Sequence, residues 1–275
     1  RFMKFNFFSK NGKILPIDEA TISLLSIEYA YGFGVYETLR VNNSKVLFLE
    51  DHIERLFKSA EIIKLEHPFT KENIKKYIEE LAVETETETY NVIMLLIGAI
   101  KSEETNLYIF CSTPLFTDKK LYRDGVKTIT TDYERVYPQA KTLNMLQSYL
   151  AYREAKSENC YDALLVNKKG NITEGTRTNF LVIKDNTIYS PLEEDILLGV
   201  TRKHVLDVAK KNGFVIKKRN ISKNSLDKYD GAFLTSTSAK ILPIKKIDNL
   251  EYKKIPDSVF RLMNLFDKFI NQHAI

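Results

Sequence analysis

Two side chains 33 residues apart, Lys141 and Glu174, have the types and settings for one defined chemistry. Lys141 sits among the apolar residues Ala140 and Leu143, and Glu174 lies inside the run Asn171 to Phe180. A lysine amine condenses with an aldehyde to give a Schiff base, and a carboxylate on a pyridine nitrogen keeps that ring protonated and electron-accepting. Together they meet the needs of pyridoxal chemistry. Lysine stems also pack along ordinary surfaces with their charges in water, so other residues must raise the pair above that plain alternative.

Such a cofactor brings a phosphate, and three elements are suited to one. Arg55 follows His52 by one helical turn, and a guanidinium clamps a phosphate through two parallel hydrogen bonds; the plain alternative is a solvated arginine on a charged face. Leu198-Gly199-Val200-Thr201 precedes an apolar-periodic run, which aims the Val200 and Thr201 backbone N–H groups past the start of a helix. An ordinary helix start with Thr201 as cap reads the same way. Thr235-Ser236-Thr237-Ser238-Ala239 follows an apolar strand, and its hydroxyls and amides are donors unless it is a simple turn.

These groups need elements to hold them. Strands over residues 2–8 and 13–17 flank Asn11-Gly12, a hairpin signal, and a second hairpin is expected at Asn42-Asn43 between Val35–Val41 and Val46–Leu49. Helical spacing of Ile53, Leu56, Phe57, Ala60 and Ile63 predicts a helix over 50–65, and Ile74, Tyr77, Ile78 and Leu81 predict another after Thr70. Strands over 92–100 and 107–112 complete an N-terminal unit. Beyond it come a strand over 126–131, a helix over 144–157, strands over 161–166, 178–183 and 187–190, and a helix over 201–212 closed by Gly213. Strands over 214–218 and 232–235 and a helix over 257–271 follow. Irregular mixing of strands and helices predicts an α+β fold, with a small N-terminal domain over 1–116, a polar linker over 117–125 and a larger cofactor-binding domain over 126–275.

Composition bounds the function. A chain of 275 residues with 44% hydrophobic and 28% charged residues buries a sizeable core. Its net charge of +5 is spread over alternating lysines and acids, which disfavours nucleic-acid binding. Two cysteines without CxxC spacing and four scattered histidines give no metal or disulfide framework. No apolar run reaches the roughly 20 residues of a membrane span, and the first residues contain no signal-like apolar core, so a cytoplasmic protein is expected.

The candidate groups fall into six ordered segments: Tyr31 to Arg40 (YGFGVYETLR), His52 to Leu56 (HIERL), Lys141 to Asn144 (KTLN), Thr173-Glu174-Gly175 with Asn179-Phe180, Gly199 to Arg202 (GVTR), and Thr235 to Ala239 (TSTSA). In that order they resemble the class IV aminotransferases, the fold-type IV pyridoxal phosphate enzymes, over residues 12–247. The resemblance implies a small N-terminal α/β sandwich, a larger C-terminal domain with a β-barrel-like core, and pyridoxal 5′-phosphate as cofactor. It implies that Lys141 forms the Schiff base and moves a proton, and that Glu174 pairs with the ring nitrogen. Arg55, Val200, Thr201, Ser236 and Thr237 then hold the phosphate, and Leu197 packs on the ring. Tyr31, Tyr36 and Thr38 line the substrate pocket, and the Ser238 and Ala239 amides receive a substrate carboxylate. A homodimer is also implied.

Within the family, many relatives carry an arginine in the strand matching Val92–Ala99, and here there is none, which disfavours a D-amino-acid substrate. Branched-chain enzymes commonly carry a tyrosine at the position of Met145 and a glycine at that of Thr38. Thr38 and Lys-x-Leu-Asn also occur in 4-amino-4-deoxychorismate lyases, which release pyruvate and 4-aminobenzoate. Arg40 and the hydroxyl-rich turn favour transamination, so the expectation is an aminotransferase acting on a branched-chain-like amino acid and 2-oxoglutarate. The lyase is the alternative, and a D-amino-acid enzyme or an inactive relative comes after it.

Overall fold

The computed structural model describes residues 5–273, which divide into two compact units: unit 1 runs to Leu115 and includes Ala140–Met145, and unit 2 comprises Phe116–Gln139 and Leu146–His273. Lys141 therefore belongs to unit 1, although the segments before Ala140 and after Met145 belong to unit 2.

Unit 1 contains β1 (Phe7–Lys10), β2 (Lys13–Pro16), α1 (Ile27–Ala30), β3 (Gly34–Asn42), β4 (Lys45–Val46), α2 (Leu49–Ile62), α3 (Lys71–Val83), β5 (Tyr90–Ile97) and β6 (Asn106–Ser112). The strands form an antiparallel sheet in the order β2-β1-β6-β5-β3-β4. Asn11 and Gly12 both take positive φ, 53° and 89°, which matches the twist of a tight hairpin. The first residues of the strand expected over 2–8 lie outside the described residues, and β1 begins at Phe7. The second hairpin turns one residue later than expected, with Asn43 and Ser44 at φ 49° and 61°, and its return strand is only two residues long because Leu49 already starts α2.

Strand periodicity sends Val35, Leu39 and Val41 to one face of β3, where they are fully buried with Ile53, Leu56 and Ala60 of α2 and Ile74, Ile78 and Leu81 of α3. Each large aliphatic side chain buried there contributes about 1.5–3 kcal/mol. The start of α3 is fixed by a capping box, in which Thr70 and Asn73 exchange side-chain to backbone hydrogen bonds.

Unit 2 contains α4 (Lys119–Asp124), β7 (Val126–Asp132), α5 (Leu146–Ser157), β8 (Asp162–Val166), β9 (Ile172–Gly175), β10 (Asn179–Lys184), β11 (Thr187–Ser190), α6 (Val200–Lys211), β12 (Val215–Lys218), β13 (Gly231–Ser236), β14 (Lys240–Ile247), β15 (Leu250–Glu251) and α7 (Asp257–His273). Its sheet runs β12-β11-β10-β13-β14-β7-β8-β9, and β9 pairs with β10 as well, so β10, β13, β14, β7, β8 and β9 close into a six-stranded barrel. Phe180, Val182, Leu164, Ile172, Leu234, Leu242 and Ile244 fill it. α5 packs on β7 and β8 through the small residues Ala151, Ala155 and Ala163.

Two differences from the sequence expectations have physical causes. Residues 117–125, read as a connection, carry α4 with Asp118 as its N-cap, a six-residue helix too short to show apolar periodicity. β14 is not among the expected strands; Pro243 interrupts its apolar run, and proline normally demotes a strand. Pro243 stands one residue before the parallel ladder with β7 begins at Ile244, so that ladder does not need its missing N–H. Among the described residues no helix is long and apolar enough to cross a membrane.

Candidate functional site

In unit 1 the segment carrying Lys141 is laid along β3 as a short strand extension. The Tyr36 N–H donates to the Lys141 carbonyl at 3.0 Å, the Leu143 N–H donates to the Gly34 carbonyl at 2.9 Å, and Val35 and Thr142 form an isolated bridge. Gly34 permits this approach, since a Cβ there would stand 2.6 Å from the Leu143 side chain and 2.7 Å from the Leu96 carbonyl oxygen. On its other side the Lys141 N–H donates to Ser59 Oγ of α2 at 3.0 Å. The Lys141 amine lies 4.1 Å from the centre of the Tyr36 ring, and the Tyr36 hydroxyl reaches Met145 Sδ at 3.9 Å. Lys141 is half-buried, in contact with an aromatic face.

One turn before Ser59 on the same helix is Arg55. Its Nε and Nη2 donate to the two oxygens of Glu37 at 2.6 and 2.8 Å, and His52 Nδ1 lies 2.7 Å from Glu37 Oε2. Burial alone would raise the Glu37 carboxyl, but Arg55 and His52 outweigh it and hold the group far below the ordinary carboxylate range. Burial holds the His52 imidazole below its ordinary value against the pull of Glu37, with the Arg55 and Lys141 charges adding to the effect. A neutral imidazole beside an ionised carboxylate must carry its proton on Nδ1, so His52 donates.

In unit 2 Glu174 lies near the end of β9, is 3% exposed, and pairs in register with Asn179 of β10. Its Oε2 accepts the Leu197 N–H at 3.1 Å and, at a long 3.4 Å, Asn179 Nδ2, which also donates to the Leu197 carbonyl at 2.7 Å. Its Oε1 is 2.8 Å from Arg135 Nε, an ion pair whose N–H is not aimed well enough to count as a hydrogen bond. Arg135 Nη2 donates to the Thr176 carbonyl at 2.8 Å. The turn after Glu174 is tied down by Asp162, fully buried, which accepts from the Thr176 and Thr178 hydroxyls and from the Ala163 N–H.

The α6 N-terminus is capped by Gly199 and not by Thr201 as the plain reading expects; no side chain of the cap bonds its first amides. A Cβ on Gly199 would stand 1.9 Å from Asn179 Oδ1, so the helix start and the Glu174 strand are locked through a glycine. The hydroxyl-rich segment closes the hairpin of β13 and β14, and within it the Ala239 N–H donates to Ser236 Oγ at 3.1 Å. That amide, expected to receive a substrate carboxylate, is already engaged inside the turn.

The structure thus groups Lys141, Tyr36 and Arg55 in unit 1, with Thr38 on the Tyr36 side of β3, and groups Glu174, Leu197, Val200 and Thr201 in unit 2, where β13 brings Thr235 into register with Asn179. Ser236, Thr237 and Ser238 follow Thr235. Tyr31, at the end of α1, is 75% exposed. Sequence reasoning did not single out Glu37, Ser59, Arg135 or Asp162. For Glu37 the signal was present: it is the one charge in the inward set Val35, Glu37, Leu39, Val41, and a buried charge demands a partner.

With this geometry established, comparison with known proteins places the chain. Residues 34–247 match the family described as Amino-transferase class IV. The chain is 31% identical over 248 residues to the D-alanine aminotransferase of Bacillus licheniformis, covering 86% of this chain and 87% of that protein. It is 31% identical over 251 residues to the putative branched-chain-amino-acid aminotransferase of Methanocaldococcus jannaschii, covering 86% of each. Its fold is similar to that of the branched-chain amino acid aminotransferase of Escherichia coli, with a TM-score of 0.86 at 21% identity over 96% of this chain and 94% of that one. The branched-chain aminotransferase of Thermoproteus uzoniensis with norvaline gives 0.85 at 26% identity over 94% and 93%. A lysine on an aromatic face, a buried glutamate and an open helix start therefore occur in a chain that belongs to the class IV aminotransferases, a family of pyridoxal phosphate-dependent enzymes.

Proposed function

We propose that this chain moves an amino group between an amino acid with an apolar, branched-chain-like side chain and 2-oxoglutarate. The observation that carries this reading is the sheet face beside the Lys141 amine. Tyr36 is in register with Leu95 of β5 and, through it, Tyr108 of β6, and Thr38 is in register with Ile93 and Phe110. Beside Lys141 that face offers hydrocarbon and hydroxyl groups; its cations stand further along it, Arg40 bonded to Asn91 and Lys10 over the Tyr108 ring, and none occurs from Val92 to Ala99. The names of the relatives include both D-alanine and branched-chain enzymes; the apolar face favours the second.

The residues present suit pyridoxal phosphate. Unit 1 supplies a half-buried amine and the Arg55 guanidinium, whose Nε and Nη2 are bonded to Glu37. Unit 2 supplies a buried carboxylate, the open start of α6, and Thr235 Oγ1, a buried hydroxyl with no hydrogen-bond partner among the described residues. When bound, the cofactor supplies an aldehyde for covalent attachment and an electron-poor ring that stabilises negative charge at the substrate Cα. Lys141 Nζ would hold that aldehyde and would carry the proton between substrate Cα and cofactor C4′. Glu174 keeps the ring nitrogen protonated, with Leu197 and Asn179 setting the plane of its carboxylate. Arg55, the Val200 and Thr201 amides, Ser236 and Thr237 hold the phosphate, and the Leu197 side chain packs on the ring. Tyr36 and Thr38 bound the side-chain pocket, and the Ser238 amide takes the substrate carboxylate.

A homodimer belongs to this reading. Leu24 and Leu25 are 103% and 91% exposed beside exposed Ile27, Tyr29 and Tyr31, an apolar surface that a second copy would cover. A cytoplasmic setting, where free amino acids and 2-oxoglutarate meet, completes it.

The test offers 2-oxoglutarate with L-leucine and with D-alanine, and separately aminodeoxychorismate. Glutamate formed fastest from L-leucine is expected. Faster turnover of D-alanine overturns the substrate assignment, and pyruvate with 4-aminobenzoate identifies the lyase instead.

A further inference from the structure

We propose that Glu37, with His52 behind it, is a positioning residue that aims the Arg55 guanidinium at the cofactor phosphate. The inference rests on the reading of Arg55 as a phosphate anchor and extends it to side chains that touch no ligand themselves. Glu37 is fully buried on the face of β3 that it shares with Val35, Leu39 and Val41, and it is the only charge on that face. Taking a carboxylate out of water costs several kcal/mol unless donors surround it. Here three do, at 2.6 and 2.8 Å from Arg55 and 2.7 Å from His52.

A buried ion pair is a weak source of stability beside apolar residues of the same volume. What the arrangement supplies is direction. An arginine side chain has about 2 kcal/mol of rotamer entropy, and its guanidinium is planar, so a bidentate bond through Nε and Nη2 fixes the plane and hence the heading of the whole fork. His52, 2% exposed and kept neutral by burial, donates to the same carboxylate without adding charge, and so holds Glu37 in its own plane. Both cationic and imidazole donors come from one face of α2 at i and i+3, a spacing that a rigid helix preserves. One turn further on, Ser59 holds the Lys141 backbone, so the aim of Arg55 is set on the same helix that locates the lysine.

The test measures the dissociation constants of pyridoxal phosphate and of pyridoxal, which lacks the phosphate, for the unaltered chain and for Glu37→Gln, Arg55→Met and the double variant. Glu37→Gln is expected to weaken pyridoxal phosphate binding about tenfold and to leave pyridoxal binding unchanged. In the double variant Glu37→Gln should add nothing to the loss caused by Arg55→Met, because it acts only through that side chain. Equal weakening of both ligands, additive losses, or an unchanged ratio in Glu37→Gln alongside a reduced one in Arg55→Met overturns the proposal. An unchanged ratio in Arg55→Met instead overturns the phosphate assignment of Arg55, and with it the basis of the proposal. Should Glu37→Gln not fold, Glu37→Asp, which keeps the charge and withdraws it by one methylene, carries the same comparison: a phosphate-specific loss supports the aim, and an equal loss of both ligands contradicts it.

Discussion

The backbone N–H of Lys141 donates to Ser59 Oγ at 3.0 Å, four residues along α2 from Arg55. A segment that returns to unit 1 from sequence neighbours in unit 2 is thus fastened to the helix that bears the proposed phosphate arginine. Ser59 is fully buried, so its hydroxyl is held for this bond. Ser59→Ala leaves the Lys141 amide without its acceptor, and an unmade hydrogen bond of a buried group costs about 1–3 kcal/mol. A lower melting temperature and a reduced kcat with cofactor affinity nearly unchanged are expected; a variant with unaltered kcat would show that Lys141 is placed by β3 alone.

Glu174→Gln keeps the shape of the side chain and its bonds to Leu197 and Asn179 while removing the charge. Covalent attachment of the cofactor through Lys141 should persist, and turnover should fall about 100-fold, the scale of losing one preorganised electrostatic group. Turnover equal to that of the unaltered chain would remove Glu174 from the mechanism.

Gly199→Ala forces a methyl group to within 1.9 Å of Asn179 Oδ1. Asn179 cannot retreat without releasing the Leu197 carbonyl, and Leu197 in turn bonds Glu174. Overpacking of this kind costs about 1–3 kcal/mol. A titration with pyridoxal phosphate should show clearly weaker binding, and unchanged affinity would mean that the α6 start can shift without disturbing the cofactor.

Acid should destabilise the protein in two stages. His52 and His67 are both lowered by burial below their ordinary value of 6.5, so the folded chain protonates less readily than the unfolded one; their contribution is present above that value and is lost as pH falls below it. Glu37 is lowered from 4.5, so its contribution is present above that value and is lost only as pH falls through its much lower folded value. Melting temperature followed from about pH 8 to about pH 5 should therefore fall already in the histidine range, and His52→Gln should flatten part of that slope. A melting temperature that rises over the same acidification contradicts the assignment of a neutral, buried His52.

Much of the fold is legible in the sequence. The helices over 49–62 and 200–211 follow from apolar spacing and Gly213, and the first hairpin from Asn11-Gly12, because those signals are local. What the sequence could not show depends on partners far along the chain. Lys141 returns to β3 through Gly34, a contact between residues more than one hundred apart, and no local pattern announces it. Arg135 and Asp162 read as ordinary polar residues until the barrel brings them to Glu174 and to Thr176 and Thr178. Glu37 was the readable exception, a charge in an otherwise apolar alternation.

Lys141 is the residue on which pyridoxal phosphate is proposed to be carried. Borohydride reduction of the cofactor-loaded protein, followed by peptide mass analysis, tests it directly. One pyridoxyl group is expected on the peptide containing Lys141 and none in Lys141→Ala, together with loss of turnover in that variant. A pyridoxyl group on a different lysine, or full activity in Lys141→Ala, would contradict it.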